Sequence, residues 1–205
     1  MHEVFFQNII KLLIAIDPIA LIPIFATLST KIPKNKILKL GIVIFTTSTI
    51  LLTFFAIYGN IFLKMIGISI ISFQIAGGVF LFVIAFEMLF EKRSQRKEKL
   101  IDKDFNDEYL LSFSIFPISI PLIVGPSAIT LSILVSENFV FSFFDIYTKI
   151  FPILIVLLFT VCVFFTSKIT VFFLGKSAIL ILQKIFGMIL GALAIEFIIN
   201  GFKLL

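Results

Sequence analysis

The sequence predicts an all-α integral membrane protein: six transmembrane helices, arranged as two inverted three-helix repeats with broken first and fourth helices. Three observations indicate this class. The chain of 205 residues is 60% hydrophobic and only 14% charged, whereas soluble domains are about half apolar and about a quarter charged. It holds six apolar stretches of about 20 residues, the length that crosses a bilayer. Two of these stretches are interrupted by a proline, Pro18 and Pro126, at positions 108 residues apart.

The apolar stretches occupy nearly the whole chain, at residues 4–28, 37–58, 68–90, 110–135, 150–174 and 178–202. They leave no room for a soluble domain of useful size. The sequence also has no cluster of His, Cys and carboxylate residues that would suit metal or nucleophile chemistry. We therefore expect no enzyme, no catalytic residue, no metal site and no cofactor. Cys162 is the only cysteine, and its apolar neighbours predict a buried, inert thiol.

Positive charge is concentrated in alternate connections between the apolar stretches. The first, third and fifth connections, counted with Lys39 and Lys168 in the adjoining ends of the stretches, hold twelve Lys and Arg residues, against three on the other side. Cytoplasmic loops carry the excess of Lys and Arg, so the bias predicts an inner (plasma) membrane protein with both termini outside. The net charge of +5 then reflects membrane orientation. We expect the lipid bilayer as a partner and no nucleic acid.

A charged connection divides the chain into two halves. Residues 91–109 carry balanced positive and negative charge and few apolar side chains. This composition predicts a solvated cytoplasmic linker between a first repeat at 1–90 and a second at 110–205. Binding of lipid headgroups or a partner through the basic half of the linker is the alternative.

A second pattern supports duplication. A Gln, a Gly and a Glu recur at the same spacing, 109 residues apart, in the third and sixth stretches: Gln74-x3-Gly78-x8-Glu87 and Gln183-x3-Gly187-x8-Glu196. Because three is an odd number of helices, the second half must enter the membrane from the opposite side. Inverted repeats of this kind place a binding site near the bilayer midplane, between the halves.

Each proline break predicts the end of one half-helix and the start of another. Asp17-Pro18 has the residue types of an N-cap and a first helical position. Gly125-Pro126 has the same arrangement, with Gly125 closing the preceding half-helix in a left-handed conformation. A helix N-terminus presents free amides and about half a positive charge, which suits an anionic group. Hydroxyls that could orient a polar ligand follow at Ser127 and Thr130.

Asp17 is the only carboxylate near the middle of any stretch. An ionised Asp at mid-bilayer costs at least about 2.5–3.5 kcal/mol, so a partner is expected. Two roles stay open: Asp17 contacts a substrate ammonium or carries a coupling proton, or it caps the half-helix that begins at Pro18. Glu196 is a further candidate for ion coupling, with solvation at the membrane interface as the alternative for it and for Glu87.

Two further groups of residues have a structural and a functional interpretation. The second stretch is rich in hydroxyls, which either bond back to their own helix or line a polar path: Thr46, Thr47, Ser48, Thr49 and Thr53. The third and sixth stretches carry glycines that predict close helix packing: Gly77, Gly78, Gly187 and Gly191.

The residues at the breaks resemble those of a known family. Residues 17–25, DPIALIPIF, are similar to the motif N-P-x-G-x-x-P-x-F, and residues 121–130, PLIVGPSAIT, to P-L-x-x-G-P-G-A-I-T. Residues 74–78 and 187–201 resemble the third and sixth helices of the same family. This is the MarC family of six-helix inner-membrane proteins, and the resemblance spans essentially all of the chain.

The resemblance implies transport of small neutral amino acids such as glycine, alanine and serine. Three residues depart from the motifs: Asn is usual where Asp17 stands, and Gly where Ala20 and Ser127 stand. The acid adds a titratable group that would allow proton coupling, and the two extra side chains favour a small ligand. We therefore expect a small zwitterionic substrate, bound by residues at the two breaks: Asp17, Pro18, Ala20, Gly125, Pro126, Ser127 and Thr130. Export of another small metabolite and a non-transporting membrane scaffold or accessory protein are the alternatives.

Overall fold

A computed structural model describes residues 2–90 and 112–203, which are almost entirely helical. The linker predicted at 91–109 lies outside the described residues. Within these residues, eight helical segments follow one another: α1 (His2–Ile16), α2 (Pro18–Lys31), α3 (Lys34–Met65), α4 (Ile70–Leu89), α5 (Ser114–Ile123), α6 (Pro126–Val135), α7 (Phe143–Gly175) and α8 (Ser177–Lys203). Of these, α5 is π-helical and is interrupted by extended backbone at Phe116 and Ile120.

The described helices provide up to six membrane spans. Four of them, α3, α4, α7 and α8, are each long and apolar enough to cross a bilayer. The pairs α1–α2 and α5–α6 each add a span, bent by 48° and 62° at the break. The all-α membrane class and the breaks in the first and fourth spans are therefore confirmed. α7 passes into α8 at Gly175, whose φ of 70° lies in a region that glycine adopts at no steric cost.

The third and sixth spans, α4 and α8, pack closely through glycines. A Cβ atom on Gly78 would lie 2.9 Å from the carbonyl oxygen of Ala194, and one on Gly187 would lie 3.2 Å from that of Ala85. The offset of 109 residues found in the sequence relates Gly78 to Gly187 and also Ala85 to Ala194. Replacing each residue by its equivalent in the other half therefore converts one contact into the other, as an inverted repeat requires. The small residues allow the two backbones to approach closely.

The fifth span, α7, packs against α2. The rings of Phe25 and Phe164 meet edge to face with centroids 5.1 Å apart, and the hydroxyl oxygens of Ser29 and Ser167 lie 3.5 Å apart. Both pairs are buried. Because residue numbers rise together along both helices, α2 and α7 run parallel.

The second span, α3, packs in the same way against α5 and α6. Gly59 of α3 faces Ile133 near the end of α6, and α3 also contacts α5. An antiparallel arrangement would place α5 beside residues after Met65, where α3 has ended. α3 therefore runs parallel to the fourth span, and Gly59 and Ile133 fix the register.

Large apolar side chains cover the outer surface of the described helices, as lipid contact requires. Cys162 belongs to this surface and is exposed. Its neighbours on the same face of α7, Leu158, Phe165 and Ile169, are exposed as well. The expectation of a buried thiol is therefore wrong, because apolar neighbours in a membrane helix indicate lipid as readily as they indicate a core.

Candidate functional site

The first break lies at Asp17, between α1 and α2. Asp17 has φ 54° and ψ 65°, in the left-handed region that Asp and Asn tolerate better than most residues. Its carboxylate Oδ1 accepts a hydrogen bond of 3.2 Å from the amide of Ala20, and the side chain is fully buried. The predicted N-cap, followed by Pro18 in the first turn, is present.

The second break lies at Gly125, between α5 and α6. Gly125 has φ −87° and ψ 174°, so the expected left-handed conformation is wrong. Glycine is required for a different reason: a Cβ atom here would lie 2.9 Å from the carbonyl oxygen of Pro121. The preceding turn is widened, since the amide of Val124 donates to the carbonyl of Ser119 over 2.8 Å. The chain therefore leaves α5 with the backbone of Gly125 held against Pro121.

One hydrogen bond joins the two breaks. The Ser127 hydroxyl, in the first turn of α6, donates to the carbonyl oxygen of Ala15 over 2.8 Å, and both residues are buried. The Ala15 carbonyl lies in the last turn of α1, so this hydrogen bond ties the end of α1 to the start of α6. The positive end of α6 thereby meets the negative end of α1, which is the favourable arrangement of helix dipoles.

The other predicted residues at the breaks differ in burial. Ala20 and Thr130 are buried, and Pro18 is buried beside Asp17. The methyl group of Thr130 packs against Gly77 of α4. Pro126 is exposed, so its ring does not line the interior.

The two candidates for ion coupling lie in different surroundings. Asp17 is buried at the first break. Glu196 is exposed on α8, where its Oε1 accepts a hydrogen bond of 2.9 Å from the side-chain amide of Asn200. The surroundings of Glu196 match the solvated interpretation more closely, because its hydrogen-bond partner is the next turn of its own helix.

Comparison with known proteins identifies the family. A model of the MarC family, described as integral membrane proteins, matches residues 2–205. The chain belongs to the MarC family. It is thus a membrane-embedded protein with several apolar helices.

Relatives of this MarC family protein occur in archaea and bacteria. It is 30% identical over 201 residues to the UPF0056 membrane protein MJ1677 of Methanocaldococcus jannaschii, covering 97% of this chain and 94% of that relative. It is 29% identical over 208 residues to the UPF0056 membrane protein YhcE of Escherichia coli, covering 98% and 92%. The UPF0056 membrane protein MJ0972 of M. jannaschii is 38% identical over 135 residues, which span 65% of this chain and 59% of that relative. No solved structure matches the chain.

Sequence reasoning missed part of the polar interior of this MarC family protein. Asn60, Ser132 and Ser136 bury polar side-chain atoms that have no hydrogen-bond partner among residues 2–90 and 112–203. The four-residue spacing of Ser132 and Ser136 on α6 was the available signal, because it places both on one face of a helix. The carbonyl of Ala15 carried no signal, since its role depends on which helix lies beside it.

Proposed function

We propose that this MarC family protein is a transporter that moves small neutral amino acids such as glycine, alanine and serine across the membrane. One observation carries the proposal: the two breaks are buried and meet at the hydrogen bond from Ser127 to Ala15. A helix that only crosses a bilayer needs no break, and broken helices survive there when protein or a cavity covers the freed backbone. Paired breaks in corresponding positions of two halves are typical of a transporter's binding site.

The difference between the breaks supports a defined orientation for a zwitterion. At the first break, the Asp17 side chain already caps α2 through the amide of Ala20. At the second break, Gly125 has no side chain to cap α6, so the first-turn amides of Ser127 and Ala128 suit a substrate carboxylate. The Asp17 carboxylate attracts the substrate ammonium. A neutral amino acid carries both an ammonium and a carboxylate group, so it can interact with both breaks at once.

The side chains at the breaks support a small substrate. Ala20 and Ser127 each add a buried side chain where the family motifs have glycine, and buried Thr130 closes against Gly77 of α4. Less space beside the backbone favours glycine, alanine or serine over larger amino acids. As part of the proposal, the protein lies in the plasma membrane with both termini outside, which the Lys and Arg bias supports.

Uptake by proteoliposomes tests the proposal. Purified protein is reconstituted, and uptake of radiolabelled glycine, alanine and serine is measured with and without an inward proton gradient. We expect saturable uptake that the gradient stimulates. Asp17→Asn retains a capping oxygen and removes the titratable acid, so it should abolish the stimulation, whereas the exposed Glu196→Gln should leave it unchanged.

One outcome of the uptake experiment would contradict the proposal of transport. Folded protein that moves none of the three amino acids, with or without the gradient, would overturn the proposal. Efflux from preloaded liposomes is measured in parallel. Efflux without uptake would identify an exporter.

A further inference from the structure

Buried polar groups without hydrogen-bond partners are concentrated on two neighbouring helices. Among residues 2–90 and 112–203, six side chains of α3 and α6 have this property: Ser48, Thr49, Thr53, Asn60, Ser132 and Ser136. Other helical hydroxyls, such as Thr46 and Thr160, donate to a carbonyl of the preceding turn over 2.9 and 2.8 Å. Leaving a buried polar group unsatisfied costs about 1–3 kcal/mol. The concentration on α3 and α6 therefore indicates water or a polar ligand at this interface.

Five of these groups form two rows, and Ser48 lies outside them. At 3.6 residues per turn, Thr49, Thr53 and Asn60 fall within about 40° of one another around α3. The row spans 11 residues, about 16 Å at 1.5 Å per residue, or half of the roughly 30 Å of a bilayer core. On α6, Ser132 and Ser136 are one turn apart and share a face.

Both rows lie on the same side of the contact between α3 and α6. Gly59 faces Ile133 across that contact. The α3 row lies about 80–120° ahead of Gly59 around its helix, and the two serines lie about 60–100° behind Ile133 around theirs. Two parallel helices wind in the same sense when they are viewed from one end. Residues ahead of the contact residue on one helix and residues behind it on the other helix therefore lie on the same side of the contact. The two rows therefore lie along one side of the contact between α3 and α6, and this strip between the helices is called the groove below.

The groove begins at the depth of the breaks. Thr53 lies six residues before Gly59, and Ser127 lies six residues before Ile133. Because α3 and α6 run parallel with Gly59 facing Ile133, Thr53 is level with Ser127. From there the rows continue to Asn60 and Ser136, at the end of α6.

A charged cluster lies where the groove ends. The carbonyl of Glu137, directly after Ser136, accepts a hydrogen bond of 3.0 Å from the Lys149 ammonium. The same ammonium contacts Asp145 Oδ2 at 3.0 Å. Charged groups are stable at this position because the ends of membrane spans meet water. The two rows thus run from the level of the breaks to the end of α6, next to the loop at residues 136–142.

We propose that the groove between α3 and α6, lined by Thr49, Thr53, Asn60, Ser132 and Ser136, is the hydrated path of a small zwitterion to and from the breaks. This proposal rests on the proposed function and adds the route to it. Water and a zwitterion each supply the donors and acceptors that these side chains lack within the described protein. The polar atoms are buried, so lipid tails do not contact them.

Cysteine accessibility tests the path without requiring transport. Cys162 is the only cysteine, so Cys162→Ser provides the background for Thr53→Cys, Asn60→Cys and Ser136→Cys. Proteoliposomes are treated with a positively charged, membrane-impermeant methanethiosulfonate reagent. Leu52→Cys, a buried apolar neighbour of Thr53, and Ile50→Cys, on the lipid surface, are the controls. We expect modification at the path positions at least about tenfold faster than at the controls, and slower modification of Thr53→Cys in saturating glycine.

The outcomes test the hydrated path and the identity of the substrate separately. Path positions that react no faster than Leu52→Cys would overturn the path, even if glycine uptake is observed. Fast reaction without uptake of any amino acid supports a hydrated path and counts against the proposed substrate. Thr53→Val adds a readout that does not depend on labelling: removal of an unpartnered hydroxyl should keep or raise the melting temperature, and a decrease of several degrees would contradict the proposal.

Discussion

The hydroxyl of Ser127 donates a hydrogen bond of 2.8 Å to the carbonyl oxygen of Ala15, 112 positions earlier in the chain. This bond joins the two broken spans inside the protein. It also accounts for a departure from the motif that residues 121–130 resemble, in which Gly is usual where Ser127 stands. The serine supplies a hydrogen-bond donor to the last turn of α1.

Removal of this donor should destabilise the protein. Ser127→Ala removes the hydrogen bond to the buried Ala15 carbonyl, at an expected cost of about 0.5–1.5 kcal/mol, the usual net contribution of one such bond. Thermal unfolding in detergent, without ligand, measures the loss. Thr46→Ala is the matched control: its exposed hydroxyl bonds within its own helix, so we expect a change within about 0.5 kcal/mol. Equal melting temperatures for the two variants would contradict a structural role of the bond.

The left-handed conformation of Asp17 gives three substitutions different effects. Asp17→Ala loses the N-cap, about 0.5–2 kcal/mol, and must adopt a conformation that costs most residues about 1–2 kcal/mol. Asp17→Gly loses only the cap and should cost less. Asp17→Asn keeps a capping oxygen and tolerates the conformation, so its stability should be close to that of the native protein. Guanidinium or thermal unfolding ranks the three, and Asn as the least stable variant would contradict the capping geometry.

Glycines at the contact between α4 and α8 should differ in their tolerance of alanine. A Cβ atom on Gly78 would lie 2.7 Å from Ile198 Cγ1 and 2.9 Å from the carbonyl oxygen of Ala194, so Gly78→Ala should cost about 1–3 kcal/mol through overpacking. At Gly191 the nearest atom, Ala85 Cβ, would be 3.7 Å away. Gly191→Ala should therefore be neutral or stabilise the helix by about 0.5–1 kcal/mol. Melting temperatures in one detergent test the ranking, which fails if Gly191→Ala is the more damaging variant.

Lys149 should stabilise the loop at 136–142 through two hydrogen bonds. Its ammonium contacts Asp145 Oδ2 and the carbonyl of Glu137, each at 3.0 Å. Lys149 and Asp145 are about 15% and 11% exposed, so screening by water is modest, and Lys149→Met should cost about 1–3 kcal/mol. A double-mutant cycle with Asp145→Asn measures the pair itself. A coupling energy near zero would show that the pair does not hold the loop.

The sequence predicted the features that depend on local chemistry. Hydropathy identified the six spans, because the need to shield backbone polar groups from lipid requires long apolar helices. Pro18 and Pro126 marked the breaks, since proline costs little in the first turn of a helix and about 3 kcal/mol in its interior. The side chain of Asp17 identified the N-cap for the same local reason. Gly78 and Gly187 indicated close packing without naming the contacts.

Tertiary structure alone decided which groups meet. The bond from Ser127 to Ala15, the Gly78–Ala194 contact and the Gly59–Ile133 contact each join residues far apart in the chain, so no local pattern specifies them. Burial of single residues also required the structure, as the exposed Cys162 shows. The physical reason is that lipid and protein core are equally apolar, so hydropathy places a helix in the membrane and leaves open which of its faces meets another helix.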